Sequence, residues 1–343
     1  MSRVLTHVAI EVEKNSDGLI FKVNGDNVNG MVKIANDVKR KGIVVKLDKL
    51  HWQALSDDDK EQELNKLAKI STEYPALHIY IADFIYDSIP LGEASIEVRP
   101  VAQGVRVEKF QTSSDLLKLS INGIWLRDEG KRGLSKFNII MTSKDIAKFL
   151  LNLDLHAPIS QADTIINMQA SWNGLPSEFE IKNISGNMHV AIGKGEVVDA
   201  KPGMGRVLGL FSLTNLPRRL ILDFKDVFAK GLQFSSMQGD FTLENGVANT
   251  NGFVIDSSSA QIVITGVTDL AKQSYDQLVV VTPRVGRVLP TIGAIAGGAV
   301  GAAAGFLVQG MFHKGLKKVG KIVYKVTGTW EKPEIKLITT EEK

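Results

Sequence analysis

Residues 4–26 read VLTHVAIEVEKNSDGLIFKVNGD, and their period decides the fold. Val4, Thr6, Val8, Ile10 and Val12 fall on one side of an extended chain, while Leu5, His7, Ala9, Glu11 and Glu13 fall on the other. A strand turns successive side chains to opposite faces, so this spacing predicts a β-strand with one dry side and one wet side. NSDG (15–18) supplies the residues of a hairpin connection, after which Leu19, Phe21 and Val23 resume the alternation. VNGD (23–26) closes the second strand in the same manner.

Outward from this stretch the period of two returns. Ile43, Val45 and Leu47 share a face, as do Ile166, Met168, Ala170 and Trp172, and then Met188, Val190 and Ile192. Phe241 with Leu243, and Ile262 with Ile264, repeat the pattern near the end, leaving Thr265 on the wet side. Turns are predicted at ENG (244–246) and NTNG (249–252), and GKG (193–195) reads as a turn between two strands. The expected fold is mainly β, a long antiparallel meander. Helices are few. SDDDKEQELNKLAKI (56–70) opens with four residues suited to the electropositive start of a helix, and SKDIAKFLLNL (143–153) and GRVLGLFSL (205–213) are predicted helical. The expected divisions are β-strands over 1–55, a helical insertion over 56–75, and further strands over 76–287. An apolar then basic helical segment over 288–320 and a terminal strand with its tail over 321–343 complete the chain.

The composition excludes several kinds of chemistry. The 41 basic and 38 acidic residues of the 343 are interspersed and leave a net charge of +3, so no basic field points to nucleic acid. Without cysteine there is neither a disulfide framework nor a thiolate ligand. The six histidines are scattered with no HExxH, no GxSxG elbow occurs, and Gly193-Lys194 is followed by Gly195 where a P-loop needs Ser or Thr. The expectation is a protein that is not an enzyme, with no catalytic residues, no metal and no cofactor. Arg218-Arg219 suits either an anionic group or a solvated turn. MSRVLTHVAIEVEK (1–14) holds no apolar h-region, so no secretion signal is expected in it, and the chain reads as cytosolic or as a piece of a longer exported protein.

One segment departs from the alternation. VLPTIGAIAGGAVGAAAGFLVQGMF (288–312) is 25 residues without a charge, long enough to cross a hydrocarbon core, yet mostly Gly and Ala in its centre. Gly293, Gly297, Gly301 and Gly305 form a helix-packing stripe, and Ile292, Ile295, Phe306, Leu307 and Met311 lie on other faces. Lys314, Lys317 and Lys318 follow directly, placed either to meet anionic head groups or as ordinary helix-end lysines. The segment either packs its stripe within the protein or enters a bilayer with a partner.

The passage GKGEVVDAKPGMGRVLGLFSLTNLPRRLILDFKDVFAKGLQFSSMQGDFTLENG (193–246) resembles the C-terminal region of the YhdP group of AsmA-like proteins. YKVTGTWEKPEIKL (324–337), ALHIYIADFIYDSIPLGEASIEVRP (76–100) and MTSKDIAKFLLNLDLHAP (141–158) are similar to that group too. The resemblance implies an elongated, twisted antiparallel β-groove, U-shaped with an open apolar trough, and a role in moving phospholipid between the two membranes of a Gram-negative envelope. It brings no catalytic residues. On this chain the lipid-binding lining would comprise Phe21, Val45, Met168 and Val190, then Phe241, Leu243, Ile262 and Ile264. The apolar 288–312 helix and the lysines after it would contact the receiving membrane, through Ile292, Ile295, Phe306, Leu307, Met311, Lys314, Lys317 and Lys318. Members of the group are longer and begin with a membrane helix. About fifteen strands at roughly 4.8 Å each give a trough of about 70 Å, so the expectation is the distal end of a bridge, or a product that needs an upstream partner. The implied partners are phospholipids and the membrane, in the periplasm or cell envelope. A TamB-like role as a scaffold for outer-membrane proteins is the alternative.

Overall fold

The computed structural model describes residues 7–53, 75–87, 89–127, 133–151, 159–160, 162–197, 232–284 and 321–338. Contacts divide the chain into two units, one of Met1–Lys144 with Ile165–Gly186 and one of Asp145–Thr164 with Asn187–Lys343.

The first unit holds β1 (Ala9–Asn15), β2 (Gly18–Asn24), β3 (Val28–Ala35), a single helical turn α1 (Val38–Lys41), β4 (Ile43–Trp52) and β5 (Leu77–Tyr86). It continues through β6 (Ile89–Val101), β7 (Gly104–Ser113), β8 (Leu117–Leu126) and β9 (Leu134–Ser143). These strands pair in chain order. At NSDG the side-chain Oδ1 of Asn15 accepts from the backbone N–H of Asp17 at 2.9 Å and of Gly18 at 3.0 Å, which fixes the first hairpin. Every pairing in the series is antiparallel except β4 with β5, which run parallel from Ile43 beside Leu77 to Trp52 beside Tyr86. A parallel neighbour requires a crossover, and the intervening chain supplies it. The helix expected over 56–70 falls there, outside the described residues.

The short helix α2 (Ile146–Leu151), inside the span predicted helical, and β10 (Ile159–Ser160) belong to the second unit. β11 (Thr164–Asn173) lies almost wholly in the first, paired with β9. There the Ser135 hydroxyl, fully buried, donates to the Gly174 carbonyl at 2.9 Å. Phe137 on β9 stacks on Trp172 of β11 with ring centroids 5.4 Å apart. The stack sits above Gly123 of β8, directly opposite Phe137, where an added Cβ would lie 2.3 Å from the Lys136 carbonyl oxygen and 2.5 Å from the Phe137 ring. Gly123→Ala is therefore expected to overpack the site and lower stability by about 1–3 kcal/mol, read as a lower urea midpoint for the first unit.

The second unit continues with β12 (Ser185–Ile192), β13 (Gly195–Val197), β14 (Leu232–Glu244), β15 (Val247–Ser257), β16 (Ala260–Asp269), β17 (Ser274–Pro283), β18 (Ile322–Thr329) and β19 (Pro333–Ile338). β14 to β19 form an antiparallel meander, and β13 pairs with both β10 and β14. Asn245 and Gly246 both have positive φ, 47° and 77°, the conformation of a two-residue hairpin turn, as ENG predicted. Two expected turns are corrected. NTNG lies inside β15 as a β-bulge between Thr250 and Phe253, where the Gly252 N–H donates to Thr250 Oγ1 at 3.2 Å. GKG does not turn β12 back on itself, because β12 and β13 both pair with β14 and Gly193-Lys194 only interrupts one edge.

Candidate functional site

Register builds the site in the first unit. Reading directly across the strands, Val12 stands opposite Phe21, then come Val32, Val45, Ile79, Ile96, Phe110, Ile121 and Ile139, one apolar residue from each of β1 to β9. At roughly 4.8 Å per strand this row runs for about 40 Å. A second row, Leu19, Ile34, Ile43, Leu77, Val98 and Val107, lies beside it on the same face. The reverse face is largely polar, with Glu11, Lys22, Met31, Lys46, Tyr80, Ser95, Gln111, Ser120 and Ile140 in register. Glu13 pairs with Lys22 and His78 with Glu97 there. The Glu93 carboxylate hydrogen-bonds Tyr80 and raises the phenol above its ordinary pKa. The sheet is thus greasy on one side and hydrated on the other, as period two dictates.

The degree of burial distinguishes this row from the core beside it, where Leu47, Ile81, Ala94, Trp125 and Phe137 on the same face are buried. From Phe21 to Ile139 every member of the first row is half-buried, neither sealed nor free, and Val12 at the edge is exposed. In the second unit the corresponding face is closed. Phe253 beside Ile264, Val279 and Tyr324 form one row and Ile255, Ile262, Val281 and Ile322 another. Phe253 is 1 % exposed, Ile264 2 % and Val281 0 %. The opposite face of the same strands is apolar as well, with Val263, Leu278, Val280 and Val323 clustered and Val254 and Ile338 packed against them. These strands are therefore buried on both sides.

The eight residues expected as a lining are split between the units. Phe21 and Val45 stand in the half-buried row, and Met168, also half-buried, alternates on β11 with Trp172, whose ring stacks on Phe137. Val190, Phe241, Leu243, Ile262 and Ile264 all belong to the second unit and are closed to solvent, Phe241 with its ring 5.8 Å from that of Phe253. The floor positions Ile79, Ile96, Phe110, Ile121 and Ile139 were not singled out in the sequence. Phe137, Ile139 and Met141 alternate plainly enough to have been found, but a β-bulge between Val107 and Phe110 breaks the count that leads to Phe110. The segment 288–318, with all its expected membrane-contacting and helix-packing residues, lies outside the described residues. Among the described residues no helix is long and apolar enough to cross a membrane, and no three His, Asp or Glu side chains gather as a metal site would need.

The sequence model of the family described as "YhdP protein" matches residues 1–335. The chain belongs to the YhdP family. A YhdP relative from Escherichia coli strain K12, the "Intermembrane phospholipid transporter YhdP", is 26% identical over 220 residues. That alignment covers 64% of this chain and 17% of the relative, so the chain spans about a fifth or less of that YhdP protein's length. No solved structure matches. The antiparallel sheets of both units agree with the β architecture expected of a YhdP-like chain.

Proposed function

We propose that this chain conducts phospholipid, holding acyl chains along the apolar face of its first unit as part of an intermembrane transport path in the cell envelope. The observation that carries the reading is the unbroken Phe21-to-Ile139 row, every residue apolar and every residue half-buried. Removing an acyl chain from a bilayer into water costs about 0.8 kcal/mol per methylene, on the order of 20 kcal/mol for two chains. A continuous apolar row offsets that cost at each strand, and its many similar sites favour sliding over tight capture. The name of the Escherichia coli relative supports the same cargo. Movement toward the outer membrane, a distal place in a longer bridge and contact of residues 292–318 with the receiving membrane complete this reading.

The exposed edge strand β1, open along all seven of its residues, favours a second reading in which a client strand is added to the sheet during assembly of another protein. Purification without detergent followed by mass spectrometry separates the two. Diacyl phospholipid is expected to accompany the protein. A lipid-free preparation carrying a protein client would overturn conduction in favour of scaffolding.

A further inference from the structure

The hydrated face of the first unit is not evenly flat. β-Bulges interrupt the β6–β7 pairing between Gly92 and Glu93 and between Glu97 and Val98, and the β7–β8 pairing between Val107 and Phe110. A bulge bends its strand and steepens the local twist. Beside these three lies a cavity of about 460 Å³, lined mainly by the reverse-face residues of β6 to β9. That volume falls in the range of small-ligand sites, roughly 300–1,000 Å³.

Ser95, Gln111 and Ser120 stand in one row across the cavity, and Ser113, Lys118 and Thr142 in the next. Lys109, half-buried, lines it from the same strand and face as Gln111. Among the described residues none of these side chains has a hydrogen-bond or ion-pair partner. The nearest carboxylates are engaged elsewhere. Glu97, directly opposite Lys109, pairs with His78, and Glu93 bonds Tyr80. Two ammonium groups around one concave surface, neither with a counter-ion, favour an anion there. The other groups narrow the class. Hydroxyls and an amide both donate and accept, which matches a ligand rich in hydroxyls. Tyr80, exposed and directly opposite Ser95, offers a ring at the cavity's edge for the C–H face of a pyranose. Lysines supply point charges in place of a guanidinium fork, so a carboxylate and a phosphate both suit.

We infer that this cavity binds an anionic sugar, a pyranose bearing a carboxylate or a phosphate, with Lys109 and Lys118 on the anion and Ser95, Gln111 and Ser120 on the hydroxyls. It lies on the opposite face of the sheet from the Phe21-to-Ile139 row, so it stands independently of the acyl-chain reading. Such a site lets the chain hold a glycan on one face while the other stays free for acyl chains. The test titrates the full chain with glucuronic acid, glucose 6-phosphate, glucose, glycerol 3-phosphate and orthophosphate, followed by ligand-detected NMR. Glucuronic acid and glucose 6-phosphate are each expected to bind at least about tenfold more tightly than glucose, the scale of two exposed ion pairs. K109Q/K118Q should erase that preference and K109R/K118R should keep it, with unchanged circular dichroism because both lysines lie on the wet face. Tyr80→Ala should weaken glucose 6-phosphate severalfold and leave orthophosphate unaffected. No preference over glucose, or one that survives K109Q/K118Q, overturns the inference. Orthophosphate binding as tightly as glucose 6-phosphate would mark a site for the bare anion, and glycerol 3-phosphate binding more tightly would mark one for a lipid headgroup. Either result overturns the sugar.

Discussion

A photo-crosslinking residue at Ile96 is expected to label phospholipid strongly, while the same residue at Ile264 or at Ser95 labels only at background. The three positions isolate two variables. Ile96 and Ser95 are neighbours on β6 and differ in the face they present, one in register with Ile79 and Phe110 and the other with Tyr80 and Gln111. Ile96 and Ile264 are both isoleucines on an apolar face and differ in access, since Ile264 is sealed within the second unit. For a tail to reach Ile264 it must displace packed side chains at a cost of about 2–5 kcal/mol for each one uncovered. At about 1.4 kcal/mol per factor of ten, that displacement holds labelling there at least tenfold below Ile96. Equal labelling at Ile96 and Ser95 would refute a one-sided lipid face. Equal labelling at Ile96 and Ile264 would mean that the second unit opens readily and that its face conducts too.

The fold was legible where short-range chemistry determines it. The Asn15 side chain fixes the first hairpin by accepting from the backbone N–H groups of Asp17 and Gly18, and Asn245-Gly246 fixes another through positive φ. Both can be read from three or four letters. Bulges cannot, because they are settled by how two strands twist against each other. NTNG has turn composition and yet sits within β15, absorbed by the bulge before Phe253. The parallel β4–β5 pair was equally invisible, since nothing in either strand alone specifies which neighbour it will take.

The apolar faces were legible in the sequence, and their burial was not. Alternation correctly put Phe21 and Val45 on the apolar side, and correctly grouped Ile262 with Ile264. It did not distinguish a face that remains accessible from one that is packed. The distinguishing signal lay in the intervening letters. QIVITG (261–266) and LVVVTP (278–283) are nearly continuous apolar runs, which mark strands buried on both sides, whereas LIFKVN (19–24) and VRVEKF (105–110) keep their charged alternates. The wet face that keeps the first unit's sheet one-sided is the feature the second unit lacks at Val263, Leu278, Val280 and Val323.

That difference has an energetic consequence, and Phe253→Ala measures it. Phe253 is almost fully buried, lies against Phe241 and shares its row with Ile264 and Val279, so truncation leaves a cavity in a packed interior. The expected loss is about 3–5 kcal/mol. Phe110→Ala removes the same atoms from a half-buried position whose cover is already incomplete, and about 1–2 kcal/mol is expected there because only part of the transfer energy is at stake. Hydrogen exchange followed by peptide mass spectrometry suits a chain of two units, because each is read through its own amides. Peptides from β15 to β17 in Phe253→Ala should lose protection by a factor of about a hundred or more, and peptides from β6 to β8 in Phe110→Ala by tenfold or so. A loss in Phe110→Ala as large as that in Phe253→Ala would mean that the first unit's apolar face is an ordinary core with no room for a tail. A face built to exchange its occupant must stay folded when that occupant is absent, and only the smaller of the two costs is compatible with that requirement.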